Sequence, residues 1–83
     1  GLPEVDVSSN ELVEGIPAFS LLVRADLAGS NGEARRLIRG GGARINDQKI
    51  SNENVLISTE DVDGSGILKV SAGKKRHVLI RFG

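Results

Sequence analysis

The chain has 83 residues, 39% of them hydrophobic and 2% aromatic, with no cysteine, no methionine and a single histidine. A chain this short removes only about 60–65% of its surface from water on folding, which supports one thin core but no deep, walled cavity. The missing cysteines exclude disulfides, thiolate metal sites and thiol nucleophiles, and one imidazole cannot form a metal pair or a proton relay. No apolar run approaches the ~20 residues that span a bilayer, and no secretory h-region opens the chain, so a soluble, cytoplasmic protein without a membrane partner is expected. Eleven basic and eleven acidic residues cancel, but they are segregated. Every basic residue falls within 24–49 or 69–83, beside only Asp26, Glu33 and Asp47, for a local charge of +8. Glu4, Asp6, Glu11, Glu14, Glu53, Glu60, Asp61 and Asp63 lie elsewhere, with no basic residue among them. That asymmetry suits a polyanionic partner, the alternative being scattered solvated charge.

Residues 1–14 read as an acidic tether, and Gly1-Leu2-Pro3 resembles the start of an excised fragment. Ser8-Ser9-Asn10-Glu11 has capping-box spacing, so a short helical turn closed by Gly15 is expected. Pro17 suits the first position of a helix, where its missing N–H costs nothing. Phe19, Leu22 and Val23 then form an apolar stripe, with Ser20 and Arg24 on the other side. This helix is expected to stop near Ala25, with Asp26 in the left-handed region that Asp tolerates. Ser30-Asn31-Gly32-Glu33 is a second capping box, Ser30 bonding forward and Glu33 back. Behind it Ala34, Leu37 and Ile38 share one arc of a helix, opposite Arg35, Arg36 and Arg39, and Gly40-Gly41-Gly42 ends it. The rest reads as strands. Asn46-Asp47 joins Ala43–Ile45 to Gln48–Ile50 in a tight hairpin, and Val55–Ile57 is a short apolar run. The acidic loop Glu60 to Gly66 follows. Ile67–Val70 and His77–Phe82 flank Gly73-Lys74-Lys75 as a second hairpin, with Val78, Ile80 and Phe82 on one face. The expected fold class is α+β: two short, helix-turn-helix-like helices followed by a small antiparallel sheet.

Catalytic patterns are missing. Gly64-Ser65-Gly66 lacks nucleophile-elbow spacing, and His77, read as a strand residue at a solvent face, has no evident partner. The glycine runs fail as phosphate loops: Gly40-Gly41-Gly42 is not followed by Lys and Ser or Thr, and a loop ending at Gly73-Lys74 meets Leu68 where glycine is needed. The acids near residue 60 lack EF-hand spacing, so no metal site is expected. What remains is a cationic surface. The start of the arginine helix offers free N–H groups and a positive dipole end, and the planar guanidinium suits phosphate oxygens. Phe19 and Phe82 are both phased for the core, which leaves no exposed ring on which a nucleobase could stack. The expected target is therefore folded or double-stranded RNA, read by shape and backbone.

Ser30-Asn31-Gly32-Glu33-Ala34-Arg35-Arg36-Leu37-Ile38-Arg39, continued by Gly41-Gly42-Ala43-Arg44-Ile45-Asn46, resembles the alpha-L RNA-binding motif. Gly73 to Arg81, and Gly15 to Val23, look like the branch of that family found at the C-terminus of bacterial-type tyrosyl-tRNA synthetases. The resemblance covers residues 15–83, with Asp26 and Asp47 standing where the family commonly has glycine. It implies an alpha-L fold over 15–83 and a module that holds the variable arm and anticodon region of tyrosine tRNA. It places Ser30, Asn31, Gly32, Arg35, Arg36, Arg39, Arg44, Asn46 and Lys49 on the RNA face, extended by Lys74, Lys75 and Arg76. It further implies no cofactor and no catalysis here, with ATP bound by a separate catalytic domain, a monomeric isolated domain and a homodimeric parent. A free-standing ribosome-associated protein and a module docking on an acidic protein are the alternatives.

Overall fold

The alternation expected along the last strand is what organises the structure. The computed structural model describes residues 1–62 and 64–83, so Asp63 of the acidic loop lies outside the described residues. Its elements are β1 (Glu4–Val7), α1 (Ser9–Glu14), β2 (Ile16–Pro17), α2 (Ala18–Arg24), α3 (Asn31–Arg39), β3 (Ala43–Ile45), β4 (Gln48–Ile50), β5 (Leu56–Ile57), a 3₁₀ turn (Thr59–Asp61), β6 (Ile67–Ala72) and β7 (Arg76–Phe82). The class is α+β, as expected. A five-stranded sheet runs in the order β1-β7-β6-β3-β4, and β2 pairs with β5 apart from it. In register, Ile45 meets Val70 and Val70 meets Val78, so one sheet face is apolar. On that face Leu68, Val70 and Ile80 share a core with Leu21 and Leu22 of α2 and Ala34 and Ile38 of α3. Each large aliphatic side chain fully buried there is worth about 1.5–3 kcal/mol.

Residues 1–14 are not a tether in this fold. β1 pairs in parallel with β7, Val5 beside Ile80 and Val7 beside Phe82, and Val7 and Leu12 are buried in the core. The alternation Glu4-Val5-Asp6-Val7 is a strand pattern whose acids face away from the core; the high charge of the segment masks it. The sheet is consequently mixed, not purely antiparallel. The turn after Ser8 is helical as expected, the Asn10 amide donating to Ser8 Oγ at 3.3 Å.

Three local expectations shift. Pro17 caps α2 from outside, so the buried face becomes Ala18, Leu21 and Leu22, leaving Phe19 and Val23 half-buried. Phe82 is half-buried as well. On α3 the core face is Ala34 and Ile38, while Leu37 is half-buried because it packs over Gly42 instead. The turns hold: Asp26, Asn46 and Asp47 take φ of 60°, 50° and 68°. The last two set the twist of the β3–β4 hairpin.

Candidate nucleic-acid interface

α3 starts where local chemistry starts it. The Glu33 amide donates to Ser30 Oγ at 3.2 Å, but the Glu33 carboxylate reaches one residue beyond the expected partner and accepts from the Gly29 N–H at 3.0 Å. Asn31 and Gly32 are exposed in the first turn, with open space around Gly32. The helix ends as Gly41 adopts φ 77°, where a Cβ would fall 2.7 Å from Lys49 Cε, and Gly42 makes room for Leu37. Gly41 therefore lets the Lys49 stem lie across the helix end, a favourable place for a cation.

The sheet brings the other cations to the same end of the molecule. The Gly73 N–H donates to Gly42 C=O at 2.8 Å, which sets the β6–β7 turn beside the start of β3. Lys49, Arg44, Ser71 and His77 are cross-strand neighbours in one row on the sheet face opposite the core. His77, expected at a solvent face, is half-buried: its Nδ1 lies 2.7 Å from the buried Ser71 Oγ, and its Nε2–H donates to Lys74 C=O at 3.1 Å. That pair steadies the turn carrying Lys74 and Lys75. Arg76 donates to Asp26 C=O at 2.9 Å, tying the hairpin to the end of α2.

Electrostatics then separates engaged cations from available ones. Arg24 grips Glu11 through two hydrogen bonds, at 2.7 and 3.0 Å, and that bonding holds the Glu11 carboxyl below and the Arg24 guanidinium above their ordinary values. Arg39 pairs with Glu53 at 2.9 Å, Lys69 with Asp47 at 3.0 Å, and Arg81 with Glu4. Arg35 lies over the Phe19 ring, 4.3 Å from its centroid. Among the described residues, and besides Arg35 on its ring and Arg76 on its carbonyl, Arg36, Arg44, Lys49, Lys74 and Lys75 are exposed and in no ion pair. They belong to α3, β3, β4 and the β6–β7 turn. No group of three or more His, Cys, Asp or Glu among the described residues could hold a metal ion. Among the described residues, no helix is long and apolar enough to cross a membrane.

Comparison with known families settles what kind of domain carries this surface. The tyrosine–tRNA ligase SYY-like C-terminal domain family matches residues 1–80. The chain belongs to that family. Among its relatives are the tyrosine–tRNA ligases of Gluconobacter oxydans, 54% identical, Rhizobium meliloti, 52%, and Agrobacterium fabrum, 51%, each over 80 residues. The alignments cover 96% of this chain and 19% of each relative, so the chain spans about a fifth of their length. The family match also takes in residues 1–14, in keeping with their place in the sheet and core.

In this ligase C-terminal domain, not every residue carried over from the motif is free for RNA. Asn46 is engaged inside the fold: its Nδ2 donates to Asp61 C=O at 2.9 Å, and its Oδ1 accepts from the Lys69 N–H at 3.1 Å. It locks the β3–β4 turn to β6 and to the acidic 3₁₀ turn. Arg39 turns toward Glu53, and Ser30 Oγ is occupied as a helix cap. Sequence reasoning missed Phe19 as the support for Arg35. Nothing local in the sequence links these residues, which are brought together where α2 packs against α3.

Proposed function

We propose that this domain binds tRNA through the end of the molecule formed by α3, the start of β3, β4 and the β6–β7 turn. In this reading it holds tyrosine tRNA, by its variable arm and anticodon region, for a catalytic portion outside the 83 residues. The observation that carries it is the division of the cations. Among the described residues, four basic side chains are neutralised by carboxylates, while Arg36, Arg44, Lys49, Lys74 and Lys75 are left exposed together at one end. Exposed guanidinium and ammonium groups arranged over a rigid scaffold suit phosphate oxygens, which supply most of the affinity in such complexes. Membership of a tyrosine–tRNA ligase domain family supports tRNA as the polyanion. The domain itself is not catalytic, needs no cofactor and is a monomer when isolated. ATP and tyrosine are handled by the remainder of a homodimeric cytoplasmic parent. The test is removal of the whole domain from the parent ligase. Tyrosyl-adenylate formation is retained and transfer to tRNA is lost; a truncated, folded enzyme that still charges tRNA at the full rate refutes the proposal.

A further inference from the structure

The cationic end of the molecule is not a plain convex surface. Between α3 and the β6–β7 hairpin opens a groove of about 590 Å³. That is within the ~300–1,000 Å³ typical of small-molecule clefts. Leu27, Leu37 and Ala72 contribute aliphatic surface to it, and Arg36, Arg76 and Glu33 line its sides. Two of these side groups are held in place. Arg76 is tied to Asp26 C=O at 2.9 Å, and the Glu33 carboxylate is oriented by the Gly29 N–H at 3.0 Å. Arg36 is in no ion pair among the described residues, although Glu33 precedes it by three positions on the helix. An aliphatic floor with two guanidinium groups and one carboxylate is a mixed lining. It matches a flat heterocycle bearing N–H donors and attached to a phosphate.

We propose that this groove seats one unpaired nucleotide of the bound RNA, its nucleobase on the Leu27–Leu37–Ala72 floor and its phosphate on Arg36 and Arg76. The charge complementarity is direct: the groove opens among cations, so a phosphodiester on either side of the seated nucleotide finds Lys74 and Lys75 on the neighbouring turn. Glu33 supplies what a pure phosphate site lacks, an acceptor for the N–H groups of a nucleobase edge. Planar guanidinium groups also stack on unpaired nucleobases, so exposed aromatic rings are not required. The domain then reads more than backbone shape. It recognises an RNA that can turn one nucleotide out of its stack. This inference rests on the tRNA-binding reading above and adds a site to it.

The experiment is an amide-shift titration of the 83-residue chain with four probes: tyrosine tRNA, a blunt fully paired RNA duplex, guanosine 5′-monophosphate and inorganic phosphate. Tyrosine tRNA and the mononucleotide are expected to move the Leu27, Leu37 and Ala72 amides. The duplex moves only the exposed cationic residues, and phosphate leaves the floor unchanged. Floor shifts of equal size with the duplex, or with phosphate alone, overturn the nucleotide site while leaving RNA binding intact. Binding of tRNA with no floor shift overturns it in the same way. Failure of both RNAs to bind at any salt concentration refutes the tRNA-binding reading, and the groove proposal falls with it.

Discussion

Changing Arg36 and Arg44 together to Gln removes two exposed guanidinium groups and, among the described residues, no ion pair. Gln keeps helix propensity close to that of Arg on α3, so stability should stay within about 0.5–1 kcal/mol of wild type. The RNA effect is calculable. Each phosphate contact contributes about 0.7–0.9 to the slope of log affinity against log salt. At ~0.15 M salt that is about a four- to sixfold share of affinity per contact, so the double variant should bind about 15–30-fold more weakly and lose about 1.4–1.8 from the slope. The loss should be similar for tyrosine tRNA and for unrelated folded RNAs, since phosphate contacts carry no sequence information. The internal control is Arg24→Gln. Arg24 is already committed to Glu11 through two hydrogen bonds, so its removal should leave the salt slope unchanged. Fluorescence anisotropy across about 50–200 mM salt measures both variants. A double variant with the wild-type slope, or an Arg24→Gln variant that loses as much, refutes the division of the cations into engaged and available.

Three further outcomes follow from the packing. Ile38 is fully buried and Leu37 only half-buried, so in denaturant titrations Ile38→Ala should cost about 2–5 kcal/mol and Leu37→Ala clearly less; equal costs contradict the assigned helix face. Gly41→Ala forces a side chain into φ 77° and against Lys49 Cε, so it should cost about 1–3 kcal/mol, read as a fall in melting temperature of about 4–8 °C per kcal/mol. The Glu11 carboxyl is lowered in the fold by its hydrogen bonds from Arg24, so its contribution to stability is present above the unfolded glutamate value and is lost as pH falls through the lowered one. A carboxyl-carbon NMR titration should place Glu11 below the ordinary glutamate range in the wild type and return it there in Arg24→Gln.

How much of this was legible depends on how far apart in sequence the deciding residues stand. Helix caps and turns are short-range chemistry. Ser30 and the Glu33 amide are three residues apart, and Asp26, Asn46 and Asp47 take their left-handed conformations with the small polar side chains that tolerate them. The apolar arcs of α2 and α3 were visible as periodicity, but not which member of each arc would go deepest. Leu37 and Phe19 lie shallower than their arcs suggest, because Leu37 folds over Gly42 at the end of its own helix and Phe19 supports Arg35 of the neighbouring one. β1 was legible in principle through the alternation of Glu4-Val5-Asp6-Val7, and its acidity obscured it.

The candidate interface divides along the same line. The sequence by itself determined the α+β class, the two helices and both hairpin turns. It also determined that positive charge concentrates around the arginine helix and the last hairpin, because composition and local spacing suffice for each. Only the tertiary structure decided which of those cations are available. Arg24 meets Glu11 across 13 residues and Arg81 meets Glu4 across 77, while Arg39 is taken by Glu53 from the loop after β4. It also decided that Asn46 is spent on Asp61 and Lys69, and that Leu27, Leu37 and Ala72 line one groove with Arg36 and Arg76. Charge is a property of each residue, whereas the partner that neutralises it or leaves it bare is chosen by the packing of distant segments.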